Sequence, residues 1–338
     1  MMIDIWKKIE RKQFSPIYLL YGTESFLINE TKQKLLKNML TDEELDFNFA
    51  SYDLEEVSVD IAIEDAETLP FMGERRLIFL HNPFFLTSEK VKSKVEHDIQ
   101  KVEAYINEPV PYSTIVFVAP YEKLDERKKI TKQLKRTAEV LEAKKLSEPE
   151  IKGWIRHRAE ANKVEIDDDA VELLMTLSGT NLMMLATEVD KLSLYSEQCI
   201  DKHTVEILAS KSLEQNIFSL VDKVINRKIE EALRIYYDLL KQNEEPIKIL
   251  AVLANQFRLL YQTKELTRRG YGQQQVAQFL KIHPFRIKLA AGQAKMFTEE
   301  ELNKIMMWIA ESDYQMKSSG LSKEMIIEML LFRIHDSL

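Results

Sequence analysis

The run Ser113-Thr114-Ile115-Val116-Phe117-Val118-Ala119 constrains this chain more than any other stretch. It is rich in β-branched and aromatic residues and offers no polar face. A strand of this kind is covered on both sides, which is the setting of a parallel sheet between helical layers. The neighbouring segments agree. Residues 16–21, 47–52 and 76–81 also read as strands, and residues 139–142 as a short last one. Between them, residues 24–39, 57–68, 90–106 and 122–138 carry helical periodicity. Strands separated by helices make βαβ units, so residues 1–146 are expected to form an α/β domain.

The character of the chain changes at Ser147-Glu148-Pro149-Glu150. Ser147 reads as an N-cap, Pro149 falls in the first turn, and Glu150 completes a capping box. No convincing strand follows. Helices are expected over 148–162, 167–177, 181–195 and 201–209, with Leu182, Leu185, Val189 and Leu192 as the core stripe of a small helical domain over 147–211. Residues 212–338 read as a third, wholly helical domain, with a second capping box at Thr298 and Glu301. The expected fold class is therefore α/β plus all-α.

Composition limits the chemistry. With one cysteine, Cys199, the chain can hold neither an internal disulfide framework nor a cysteine-rich zinc site. That usage suits a reducing cytoplasm. The first residues carry no apolar h-region or cleavage signal, so no leader peptide is expected, and no apolar run is long enough to span a membrane. A net charge of −8 argues against strong DNA binding by the chain alone. The acidity is uneven: residues 212–338 hold 18 Lys/Arg against 16 Asp/Glu, whereas 147–211 hold 7 against 13. Any nucleic-acid contact is expected to be local and shared with partners.

The turn after the first strand is where a P-loop would cradle phosphates. Here it reads Tyr21-Gly22-Thr23-Glu24-Ser25, without Gly-Lys-Ser/Thr and with Glu24 where a triphosphate would sit. The 113–119 strand leads into Pro120-Tyr121 rather than an acidic Mg²⁺-binding pair. Either a nucleotide-binding architecture has lost its nucleotide, or this is an unrelated α/β domain with an ordinary glycine turn. Both exclude ATP hydrolysis, and no cofactor is expected. The six histidines are scattered without metal-ligand spacing, and no Ser, Cys or Lys has a nucleophile motif around it.

Two stretches remain as candidate contacts. Between Lys123 and Arg136 the chain is basic, with Lys128, Lys132 and Arg136 at i, i+4 and i+8. This is either a solvated face or, together with Arg127, a contact to a phosphate backbone. Leu69-Pro70-Phe71-Met72 lies at a break between helix and strand, where Pro70 disfavours helix for Leu69. Locally, Leu69 and Phe71 either tuck under the sheet, as apolar side chains usually do, or plug a pocket on another protein.

Motifs along essentially the whole chain resemble the DNA polymerase III delta subunits of bacteria. They include Tyr18-Leu19-Leu20-Tyr21-Gly22 and Leu69-Pro70-Phe71 with Arg75-Arg76-Leu77. Further on come Gly179-Thr180-Asn181-Leu182, Glu188-Val189-Asp190-Lys191-Leu192, Asn216-Ile217-Phe218-Ser219-Leu220-Val221-Asp222 and Gln256-Phe257-Arg258-Leu259-Leu260. Each is weak alone; their joint order and spacing are specific. The resemblance implies a degenerate AAA+ module, made of a RecA-like domain and a helical lid, followed by a helical collar. It implies a clamp-loader subunit that binds and opens the beta sliding clamp without binding ATP itself. Its implied partners are DnaX (tau/gamma), delta prime and primer–template DNA. The clamp-binding element falls on Leu69, Pro70, Phe71 and Met72, with Phe71 or Met72 filling the pocket beside Leu69. In the collar, Phe257, Leu260 and Tyr261 are either a subunit interface or internal packing. The alternatives are an active AAA+ DNA-remodelling ATPase, disfavoured by the missing Gly-Lys-Thr, and a delta prime-like scaffold, disfavoured by the missing Ser-Arg-Cys triplet.

Overall fold

The computed structural model describes residues 2–89 and 95–337. The chain forms two compact units, Met1–Lys145 and Leu146–Leu338.

The first unit runs α1 (Met2–Glu10), β1 (Ile17–Gly22), α2 (Ser25–Met39), α3 (Asp42–Asn48), β2 (Phe49–Asp53), α4 (Val59–Ala66), β3 (Arg76–His81), α5 (Ile99–Asn107), β4 (Ser113–Ala119), α6 (Lys129–Thr137) and β5 (Glu139–Ala143). All five strands are parallel, in the order β2-β3-β4-β1-β5. β1 and β4 occupy the middle and are buried at every position. Because side chains alternate across a strand, Ile17, Leu19, Ile78, Leu80, Ile115 and Phe117 share one face, packed with Ala62, Ile63 and Ala66 of α4, Val102 and Ile106 of α5, and Ile130 and Leu134 of α6. Helices α1 and α2 pack together and against the β1–β5 side of the sheet. Trp6 Nε1 donates to Thr31 Oγ1 across them at 2.8 Å, which satisfies a buried indole.

Three readings of this region are corrected. Phe47 and Asn48, expected in the second strand, end α3 instead. The helix starts at Thr41, whose N–H donates to the Glu44 carboxylate at 2.7 Å, with Asp42 and Glu43 at its positive end. The charged helix expected over 122–138 begins only at Lys129. Upstream, Asp125 Oδ1 accepts from the Arg127 N–H at 3.1 Å, a local turn that competes with helix. The helix expected over 90–106 begins at Ile99 within the described residues, capped by Asp98; residues 90–94 lie outside them.

The second unit holds α7 (Glu148–Ala161), β6 (Glu165–Ile166), α8 (Asp168–Ser178), α9 (Leu182–Tyr195), β7 (Cys199–Ile200) and α10 (Lys202–Leu208). The two-residue parallel pair β6–β7 corrects the expectation of no strand here; strands this short carry no periodicity to read. Leu182, Leu185, Val189 and Leu192 are all buried. At α7 the expected capping box forms. Glu150 accepts from the Ser147 N–H at 2.7 Å, and the Ser147 hydroxyl turns to the same carboxylate. At Thr298 and Glu301 both halves are present.

The helices α11 (Leu213–Ile225), α12 (Ile229–Lys241), α13 (Pro246–Arg268), α14 (Gln273–Leu280), α15 (Pro284–Ala294), α16 (Glu299–Ser318) and α17 (Lys323–Ser337) complete the unit. The long α13 packs against α11, α14, α15, α16 and α17 and carries much of the core. Among the described residues, no helix is long and apolar enough to cross a membrane.

Candidate functional site

Leu69, Phe71 and Met72 stand 70%, 55% and 83% exposed on the loop between α4 and β3, with Pro70 partly covered between them. Large apolar side chains held in water next to one another mark an interaction site. Ala62, Ile63 and Ala66 of α4, just upstream, are themselves buried in the core against the sheet.

The loop is tied down at several points. At its start, the last carbonyls of α4 would lack helical partners; Ser113 Oγ donates to Ala66 O at 2.6 Å and the Tyr112 hydroxyl to Glu67 O at 2.8 Å. At its centre, the fully buried Asn48 side chain accepts from the Phe71 N–H at 2.7 Å and donates to the Phe71 carbonyl at 2.8 Å. At its end, Arg76 donates to Phe47 O at 3.1 Å and pairs with Asp65 of α4. Tyr52 donates to the other Asp65 oxygen at 3.0 Å. Burial first, then that carboxylate, pushes the Tyr52 hydroxyl up.

Met72 takes φ +52°, the left-handed region that costs an L-residue about 1–2 kcal/mol. Next to it, a Cβ on Gly73 would fall 2.2 Å from Glu44 Oε1, so any other residue there displaces the Glu44 side chain. Phe47, also 55% exposed, puts its ring 5.2 Å from that of Phe71 at 54°. Sequence reading missed Phe47 and Asn48. The Thr-x-x-Glu signal at Thr41 would have placed them on a helix, but nothing local to Asn48 reports a partner 23 residues away.

The other candidates fare differently. Arg127 pairs with Asp125 at 2.8 Å and holds its carboxyl down at about 2. Lys128 is the N-cap residue of α6, and its Nζ donates to Phe85 O and Thr87 O at 3.0 and 2.8 Å. The helical face of three basic residues therefore shrinks to Lys132 and Arg136, which line a small exposed depression with Lys135. Phe257 and Leu260 are fully buried in the helical core, and Tyr261 is half-covered against it. For Phe257 and Leu260 the interface alternative is corrected to internal packing, because the side of α13 that carries them faces its neighbouring helices, whereas Tyr261 keeps a partly exposed side chain.

At the turn after β1, Glu24 N–H donates to Ala143 O at 2.8 Å, and a Cβ on Gly22 (φ +128°) would lie 2.2 Å from the same oxygen. Backbone donors that a P-loop aims at phosphate are here directed at β5. Among the described residues, no group of His, Cys, Asp and Glu has the arrangement of a metal site.

Fold and site together define a two-unit α/β and all-α protein whose salient surface feature is a braced apolar loop. The family described as DNA polymerase III, delta subunit, matches residues 18–144, and its C-terminal domain matches residues 214–334. The DNA polymerase III subunit delta of Bacillus subtilis is 46% identical over 336 residues, covering 99% of this chain and 97% of that protein. A probable DNA polymerase III subunit delta of Aquifex aeolicus is 25% identical over 264 residues, covering 75% and 72%. The solved structure of the Bacillus subtilis DNA clamp loader delta protein (YqeN) superposes with a TM-score of 0.83, covering 99% of this chain and all of that one. The chain belongs to the DNA polymerase III delta subunit family and is a clamp-loader component of the replication machinery.

Proposed function

We propose that this chain binds the beta sliding clamp through Leu69, Phe71 and Met72 and helps to open it for loading onto primed DNA. The observation that carries the reading is the exposure of these side chains on a loop whose backbone is held at its centre by Asn48 and at its start by Tyr112 and Ser113. A braced loop loses little conformational freedom on docking, so more of the burial energy appears as affinity. Burying a Leu and a Phe contributes about 1.5–3 kcal/mol each. Such binding shifts the ring towards opening only if the open or relaxed ring is bound better than the closed one.

In this reading the chain needs no nucleotide of its own. The Glu24 N–H bonded to Ala143 O and the negative charge of Glu24 where a triphosphate would sit support that part. ATP control comes from DnaX (tau/gamma) subunits, with delta prime completing the loader. Packing between collars uses exposed side chains rather than Phe257 and Leu260. Primer–template DNA passes within the assembly, and Lys132 and Arg136 are better placed for phosphate than the internally engaged Arg127 and Lys128.

The test is titration of the full chain with its cognate clamp, beside Leu69→Ala/Phe71→Ala. The double variant is expected to weaken binding by about 100-fold with unchanged circular dichroism. Wild type that does not bind the ring overturns the clamp reading. A variant that binds equally well overturns the site. Calorimetry with Mg-ATP is expected to show no binding, and a saturable heat would overturn the nucleotide-free reading.

A further inference from the structure

The end of α3 and the 69–73 loop are built as one piece. Asn48 is fully buried, and its carboxamide meets both polar groups of the Phe71 backbone. Only a side chain with a donor and an acceptor on one planar fork can do this: an aspartate would face the Phe71 carbonyl with a second oxygen, and an apolar residue would leave two polar groups unmet. The preceding residue, Phe47, pairs its ring with that of Phe71, and each ring remains half in water. The Phe47 carbonyl is in turn held by Arg76. At Gly73 the loop comes so near that an added Cβ would fall 2.2 Å from Glu44 Oε1 and 3.0 Å from the Asn48 amide nitrogen. The aromatic surface beside Leu69 therefore comes from two rings brought from different elements.

We propose that Phe47 is part of the clamp-contacting surface, forming a single aromatic anchor with Phe71, and that Asn48 is the positioning residue that sets the anchor's geometry. This rests on the clamp reading above. Its physical basis is continuity: a pocket that takes up Phe71 meets Phe47 at a centroid distance of 5.2 Å. A pre-paired ring also arrives without the ordering cost of a free one.

The experiment measures clamp binding by the full chain for wild type, Leu69→Ala, Phe47→Ala and Asn48→Asp. It adds Phe71→Ala alone and combined with Asn48→Asp. Phe47→Ala is expected to weaken binding by about tenfold with an unchanged melting temperature, since the ring is half exposed. Asn48→Asp keeps the acceptor and loses the donor. It is expected to weaken binding by about tenfold in the wild-type background and less than about twofold in the Phe71→Ala background. A general loss of structure would act equally in both backgrounds, and that result overturns the positioning role. Wild-type affinity for Phe47→Ala overturns the anchor. Loss of binding in Leu69→Ala with both α3 variants unaffected strikes this inference and spares the clamp reading; absence of wild-type binding strikes both.

Discussion

Arg76 and Asp65 form a largely buried ion pair that joins the two ends of the loop carrying Leu69 and Phe71. The pair joins the first residue of β3 to the last turn of α4, and Asp65 also accepts from Tyr52. Removing one partner of a buried pair leaves the other uncompensated, which is costlier than losing an exposed bridge. Asp65→Ala is expected to destabilise the α/β unit by roughly 3 kcal/mol, read as faster amide exchange across β3 or a lower urea midpoint. A loss below about 0.5 kcal/mol would mean that the pair behaves as a surface bridge.

Two glycines should respond in opposite directions. Gly22→Ala places a Cβ 2.2 Å from Ala143 O at a φ that L-residues avoid, with backbone rather than a flexible side chain in the way. It is expected to cost about 3 kcal/mol or more. Gly153→Ala, inside α7, meets nothing within 4 Å. It is expected to stabilise the second unit by about 0.5–1 kcal/mol. Thermal melts of both variants check the contrast.

The helical core gives a separate test. Phe257 is buried and packs edge-on to Phe297 at 5.8 Å between centroids. Phe257→Ala is expected to cost about 3–5 kcal/mol in denaturant unfolding. Tyr261→Ala, at a half-covered position, should cost distinctly less. Equal small losses would return Phe257 to the surface reading.

Acid should weaken the α/β unit in the histidine range. Burial lowers His97 from its ordinary 6.5, opposed by the Leu54 backbone and the Asp60 charge. Burial and then Lys32 lower His81, opposed by Asp53. A histidine whose folded pKa is depressed takes up its proton more readily in the unfolded chain. Stability is therefore complete well above 6.5 and lost as pH falls below it towards the folded pKa. His97 Nδ1 accepts from the Val59 N–H at 3.1 Å, a bond that protonation of that nitrogen breaks. Denaturant midpoints between about pH 7 and 5 should fall in wild type and fall less steeply in His97→Gln. Identical slopes would remove His97 from the account.

Strands β1, β3 and β4 were legible because each is a local run of apolar residues, and Ser113–Ala119 sits in the sheet centre as its composition requires. Caps whose partner lies three residues away leave a local signal, read at Thr298 and Glu301 and overlooked at Thr41 and Glu44. Family membership was legible in the order and spacing of many short motifs. The middle strand pair β6–β7 and the late start of α6 were not, because two-residue strands and side-chain turns leave no periodicity.

Sequence by itself determined the alternation that makes the sheet, the helical character after Ser147 and the apolar composition of the 69–72 loop. Tertiary structure decided which apolar residues face water. Local chemistry favours burial for Leu69 and Phe71 and allows exposure for Phe257 and Leu260, yet the outcome is the reverse. The reason is competition for space and hydrogen bonds over long separations: Ala62, Ile63 and Ala66 of α4 take core positions against the sheet, Asn48 holds Phe71 from 23 residues away, and neighbouring helices cover the side of α13 that carries Phe257 and Leu260.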